Sequence, residues 1–201
     1  MCKLANVHMR YLVILFTCFI TTNANAQFDL GDTSRHYFPP NTVSKFENNW
    51  YSGQLAALKE PIIFTDKGSA EVYRFTWLRT FHNPVAIRVE KQATQYLLTW
   101  KVCNGTGGYG PGKLTTSQQK VIQKSEWEEF QKRLKTIDFW KADTEVKNIG
   151  NDGSQWILEG KTPGQYHVTD RWTPKSNTLY YACCDYLIGL TNLKITGDAK
   201  Y

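Results

Sequence analysis

Between Val72 and Phe81 large apolar and polar side chains alternate. Tyr73, Phe75, Trp77 and Phe81 fall on one face of an extended chain, and Arg74, Thr76 and Thr80 on the other. After a turn at His82-Asn83-Pro84 the alternation resumes, with Val85, Ile87 and Val89 against Ala86, Arg88 and Glu90. A second turn at Gln92-Ala93-Thr94 leads to Tyr96, Leu98, Trp100 and Val102, again every second residue. A repeat of two belongs to a strand, whose successive side chains point to opposite sides. Such runs joined by short turns predict an antiparallel meander. The Gly-rich stretch from Gly105 to Gly112 then opens a more polar run, Lys113 to Ile122, which reads as a fourth strand near a sheet edge, where polar residues are tolerated.

The pattern then changes period. Ser125 and Glu128 have the spacing of a capping box, and behind them Trp127, Phe130, Leu134 and Ile137 form one helical stripe that ends near Asp138-Phe139-Trp140. A turn at Asn151-Asp152-Gly153 precedes a hairpin, Gln155 to Gly160 and Gln165 to Trp172, closed by Thr162-Pro163-Gly164. Pro then Gly suits the middle of a type II turn, because Gly takes the required positive φ at no steric cost. A last helix over about Thr178 to Leu190 places Leu179, Ala182, Cys183, Tyr186 and Leu190 at helical spacing, so Leu179, Cys183, Tyr186 and Leu190 are expected to pack on the aromatic sheet face. Upstream, residues 27–50 are rich in Asn, Pro and Asp and read as a loose arm. Trp50 to Leu58 reads as a short helix and Ile62-Ile63-Phe64 as a short strand. The sum is an α+β domain: an antiparallel sheet of about five to six strands, meander plus C-terminal hairpin, with about two packed helices.

The first 26 residues have a different character. Lys3 and Arg10 precede an apolar run, Tyr11 to Ile20, and Ala24-Asn25-Ala26 is a small-x-small site, so 1–26 reads as a cleavable signal peptide and 27–201 as a single domain. Ten apolar residues fall short of the roughly 20 that span a bilayer, so no stable membrane span is expected after cleavage. Leu15-Phe16-Thr17-Cys18 also has the outline of a lipoprotein site, with Cys18 acylated, but Thr17 is bulkier than the usual small residue there. Export makes the chain periplasmic or secreted. Removing Lys3 and Arg10 leaves 22 basic residues against 18 acidic ones, which lowers the net charge from +6 to +4. That mild excess, with no block of five basic residues, points away from a nucleic-acid partner.

Four stretches together resemble an uncharacterised family of bacterial exported proteins: Tyr73-Arg74-Phe75-Thr76-Trp77-Leu78-Arg79-Thr80-Phe81; Gly107-Gly108-Tyr109; Asp138-Phe139-Trp140; and Asp152-Gly153-Ser154-Gln155-Trp156-Ile157-Leu158-Glu159-Gly160 with Tyr166-His167-Val168 and Arg171-Trp172. The resemblance covers roughly residues 70–190. It implies a bacterial source and one unit over that span, and it brings no activity with it.

Candidate chemistry is sparse. Gly107 to Lys113 nearly matches the phosphate-cradling G-x-x-x-x-G-K-[ST], but Leu114 stands where a hydroxyl would hold magnesium, and the loop joins two strands instead of opening a helix. Its glycines read first as a flexible hairpin loop, and otherwise as a mobile loop that carries ligand contacts, with Gly107, Gly108 and above all Tyr109 as the contact residues. His167 and Arg171 share one strand face with Thr169, while Asp170 faces the other way with Tyr166, Val168 and Trp172. A histidine with a charged neighbour is a general acid–base candidate, yet no nucleophile elbow accompanies it. An inward-facing acid, Asp170 first of all, is expected to pair with Arg74 or Arg79, since a charge among aromatics is costly alone. His36, His82 and His167 are scattered, so no metal site or cofactor is read. Cys103, Cys183 and Cys184 survive cleavage; Cys183 and Cys184 read first as two small buried helix residues, and alternatively, in an oxidising compartment, Cys103 can bridge to Cys183 or Cys184. Regular alternation assigns the strand aromatics to a core rather than to a sugar-binding platform. The leading reading is a non-enzymatic exported domain that binds an envelope protein or a small ligand. The alternative is a periplasmic, hydrolase-like enzyme that uses His167 with Arg171 or Asp170.

Overall fold

The computed structural model describes residues 35–66, 71–146, 150, 152–195 and 197–201. The stretch read as a signal peptide, with its expected cleavage site after Ala26 and with Cys18, lies outside the described residues, as does Asn151 of the turn expected at 151–153.

The alternating segments form the sheet in the expected order. Strands β1 (Glu71–Arg79), β2 (Val85–Lys91), β3 (Tyr96–Cys103) and β4 (Leu114–Ile122) make the meander, and β6 (Ser154–Thr162) and β7 (Gln165–Trp172) make the hairpin. The hairpin inserts beside β1, and a two-residue strand β5 (Glu145–Val146) pairs in parallel with β7 at the far edge, giving the order β4-β3-β2-β1-β6-β7-β5. At the hairpin tip Gly164 has φ of 89°, as the Pro-Gly turn requires. Helices pack on both faces of the sheet, so among the described residues the fold is α+β with seven mostly antiparallel strands and three α-helices: α1 (Lys45–Ala57), α2 (Lys124–Thr136) and α3 (Leu179–Gly189).

Register divides the side chains of β1 between two layers. Tyr73, Phe75 and Trp77 enter the main core with Trp127, Phe130 and Leu134 of α2 and with Cys183, Cys184 and Leu187 of α3. Leu78 enters a second core with Tyr37, Phe38, Trp50, Tyr51 and Leu55, built by α1 and the segment before it. Both faces of the sheet are therefore covered, and Arg74 and Thr76 are wholly buried.

Several local expectations change. Residues 35–50 are not loose: Tyr37 and Phe38 are buried, and α1 starts at Lys45 behind a capping box in which Ser44 Oγ accepts from Glu47 N and Glu47 Oε2 accepts from Ser44 N. The Pro39-Pro40 pair only stops regular structure before that cap. Residues 62–64 form a bend and turn instead of a strand. Helix α2 begins at Lys124, earlier than the Ser125 cap predicts, and Glu126 Oε2 caps Gln123 N at 2.7 Å. In α3 the buried stripe is Cys183, Cys184, Leu187 and Ile188, whereas Leu179, in its first turn, is 62% exposed. The helix is apolar over so much of its surface that spacing alone does not choose the buried side.

Candidate functional site

The β1–β2 turn and the long β3–β4 loop meet at one end of the sheet. The loop is pinned there at nearly every carbonyl. Trp50 Nε1 donates to Gly107 O at 2.9 Å, and Gln54 Nε2 donates to Gly107 O and Tyr109 O at 3.2 and 3.1 Å. Asn83 Nδ2 donates to Gly105 O at 3.0 Å, and Gly107 N donates to His82 O at 2.9 Å. Gly107 is obligatory for this approach, because a Cβ there would lie 2.6 Å from the backbone of Leu78 and Arg79. A loop read from its glycines as flexible is thus a stiff mount, held by two side chains of α1.

The mount presents aromatic rings to solvent. Tyr109 is 43% exposed and Phe81 55%, with ring centroids 6.4 Å apart and planes inclined by 31°. Across Gly107, exposed Phe46 tilts against Trp50 at 6.0 Å. Tyr109 was expected here, with Gly107 and Gly108 as its support. Phe81 was missed, because the alternation of β1 assigned it to the core. Strand β1 ends at Arg79, and the bend before Pro84 turns Phe81 outward. The Asn-Pro pair was the signal, since a strand approaching such a turn ends before it.

His167, Asp170 and Arg171 are not brought together. The β6–β7 register sets His167 opposite Gly160 and Arg171 opposite Trp156, on the α2/α3 side, and Asp170 opposite Ile157, on the α1 side. His167 Nε2 bonds to Ala142 O at 2.9 Å and its ring packs edge-on against Phe139, while burial lowers its pKa. The Arg171 guanidinium donates to the carbonyls of Asp143, Thr144 and Asp170 and lies over the Tyr180 ring. Asp170 accepts from Tyr51 Oη at 2.6 Å, its Oδ1 has no partner, and burial raises its pKa to about 7, against the Tyr51 hydrogen bond. It is 2% exposed, so no substrate reaches it.

Asp170 is also not the partner of an arginine. Arg74 pairs with Glu159, directly opposite on β6, with Nε–Oε2 at 2.7 Å, and with Glu60 at 3.7 Å. Arg88 and Lys101 reach the same Glu60 at 3.0 and 2.9 Å. Burial works to raise the Glu60 pKa, but the three cations outweigh it and hold it below the ordinary value. Tyr166 Oη completes the cluster by donating to Glu159 at 2.9 Å.

The bridge from Cys103 to Cys183 or Cys184 is not formed. All three are free and buried, and Cys103 lies in the α1-side core while Cys183 and Cys184 lie in the other. The sheet separates them. Burial pushes the Cys103 thiol up to about 11 and Cys183 up to about 12, which leaves them unreactive. Among the described residues, no cluster of three His, Cys, Asp or Glu could hold a metal, and no helix is long and apolar enough to cross a membrane. No family model matches the chain, and no curated protein matches it. The resemblance to bacterial exported proteins therefore rests on the quoted residues alone.

Proposed function

We propose that the chain is an exported binding domain rather than an enzyme, and that it meets its partner through the Phe81–Tyr109 surface. The observation that carries this reading is the combination of exposure and stiffness: two large rings face solvent on a loop whose carbonyls are tied to Trp50, Gln54 and Asn83. Aromatic rings presented in a fixed geometry bind at low entropic cost, because little is left to order on association. The partner that suits them has a flat apolar face, and the pyranose ring of an envelope glycan is the simplest such face. The hydrolase-like alternative gains no support, since His167 and Asp170 point to opposite sides of the sheet and Arg171 is engaged by backbone carbonyls. Co-sedimentation of the exported protein with purified peptidoglycan sacculi tests the proposal. The wild type is expected to pellet, and Phe81→Ala/Tyr109→Ala to lose about ten-fold in binding with an unchanged circular dichroism spectrum. Equal pelleting of both proteins, or of neither, overturns it.

A further inference from the structure

The two outer edges of the sheet are unlike. On one side the short β5 and the residues just before it close off β7: Asp170 N donates to Thr144 O, His167 Nε2 meets Ala142 O at 2.9 Å, and Arg171 reaches the carbonyls of Asp143 and Thr144. On the other side β4 is the last strand, and among the described residues it pairs with β3 alone. It contains no proline and a single charge, Lys120, and Ser117 to Val121 are exposed without a break. Proteins ordinarily blunt such an edge with proline, charge or a covering segment, because its free main-chain groups are a template for another strand.

Hydrogen-bond parity decides which groups are free. Cys103 N donates to Pro84 O, on the β2 side, and Asn104 N to Lys113 O, on the β4 side. Main-chain groups of a strand alternate between its two neighbours, so Val102, Trp100 and Leu98 bond to β4, and their opposites Thr116, Gln118 and Lys120 bond back to β3. The N–H and C=O groups of Ser117, Gln119 and Val121 therefore point away from the sheet, and none has a partner among the described residues. This free stretch is bounded at both ends. Before it Thr115 bulges out of the ladder, and its hydroxyl turns back to Val102 O at 3.1 Å. After it Gln123 N is already taken by Glu126 Oε2. Gln119 is the midpoint.

We propose that this edge pairs with a second copy of itself, antiparallel about a two-fold axis at Gln119. In that register Ser117 lies opposite Val121 of the second copy and Gln119 opposite Gln119, so the free groups of both strands are satisfied together. Lys120 lies opposite Gln118, so no like charges are opposed. Because β5 closes the other edge, such a pair ends at two copies and does not grow into a fibre. An extended peptide from another protein would use the same groups, but it would have no need of a free stretch symmetric about one residue. This interface is distinct from the Phe81–Tyr109 surface and stands without that reading.

Sedimentation equilibrium of the exported protein and of Gln119→Pro, Gln119→Lys and Gln119→Glu tests the proposal. The wild type is expected to show a monomer–dimer equilibrium in the micromolar range. Gln119→Pro removes an outward N–H and no bond to β3, so it should abolish the dimer and leave the circular dichroism spectrum unchanged. Gln119→Lys and Gln119→Glu each set like charges against each other across the axis and should weaken self-association about five-fold, whereas an equimolar mixture of the two should associate at least as tightly as the wild type. If proline disturbs β4 itself, the two charge variants decide. A wild type that stays monomeric into the millimolar range, or a dimer indifferent to these substitutions, overturns the proposal. A mixture no tighter than either variant alone overturns the two-fold at Gln119.

Discussion

The two faces of the sheet are both buried, but by opposite chemistry. Toward α2 and α3, β1 and β6 present Tyr73, Phe75, Trp77, Trp156 and Leu158 to an aromatic and aliphatic core. Toward α1, the intervening residues are Arg74, Thr76 and Glu159, and the neighbouring strands add Arg88, Lys101 and Asp170. One face is held by area removed from water, which is non-directional. The other depends on each charge having its partner, because an unpaired one is costly in a dry setting. The lesson is that alternation marks two faces without saying that the polar one is wet.

That contrast can be broken where it is sharpest. Arg74→Leu leaves Glu159 buried without its main cation and is expected to cost about 3–5 kcal/mol in urea denaturation. Arg74→Leu/Glu159→Leu should recover most of that loss, as replacement of a whole buried pair often does. A double variant as unstable as the single would show that the charges are not what this face depends on. Asp170 gives the second test. Its folded pKa of about 7 lies above the ordinary 3.8, so the native carboxyl stays protonated where the unfolded one is already ionised. Stability should therefore fall as pH rises from about 4 to about 7 and then level off, by about 4 kcal/mol in all. Asp170→Asn, which keeps an acceptor for Tyr51, should flatten that profile, and a profile unchanged by the substitution would count against the assignment. On the apolar face, Leu187→Ala is expected to cost about 3 kcal/mol, while Leu179→Ala should stay within about 0.5 kcal/mol. The reverse ranking would mean that α3 is rotated from the orientation described.

The faces of β1, β2, β3 and β7 were legible because period-2 patterns are long there, and the Pro-Gly hairpin and the α2 stripe were equally clear. What escaped was whatever depended on the second layer. Helix α1 buries Asn48, Ser52 and Gln54 alongside Trp50, Tyr51 and Leu55, so its buried face is mixed and its first turn, before Trp50, does not stand out as apolar. Without that helix, Arg74 looks half-solvated and Asp170 looks free to pair with it. The true partner, Glu159, follows only from the β1–β6 register, which no local pattern sets. The same alternation also separates the cysteines. With Leu98, Trp100 and Val102 on the aromatic side, alternation already sent Cys103 to the opposite side from α3. The candidate surface was half legible: Tyr109 stood out in its loop, whereas Phe81 was hidden by a strand that stops two residues sooner than its pattern.

The insertion of the hairpin beside β1 also has a kinetic side. Strands β1 to β4 can zip by local turns, and so can β6 with β7, since each pair is joined by a short connection or a single loop. Only the β1–β6 ladder joins chain segments far apart in sequence, with Arg74 meeting Glu159 across 85 positions. Closing so long a loop costs entropy before any contact forms, and such pairings are slow. The sheet is thus two quickly formed blocks sharing one late seam. Arg74 with Glu159 and Trp77 with Trp156 lie along that seam, so their substitution should change the rate at which the blocks part more than the rate at which either block forms.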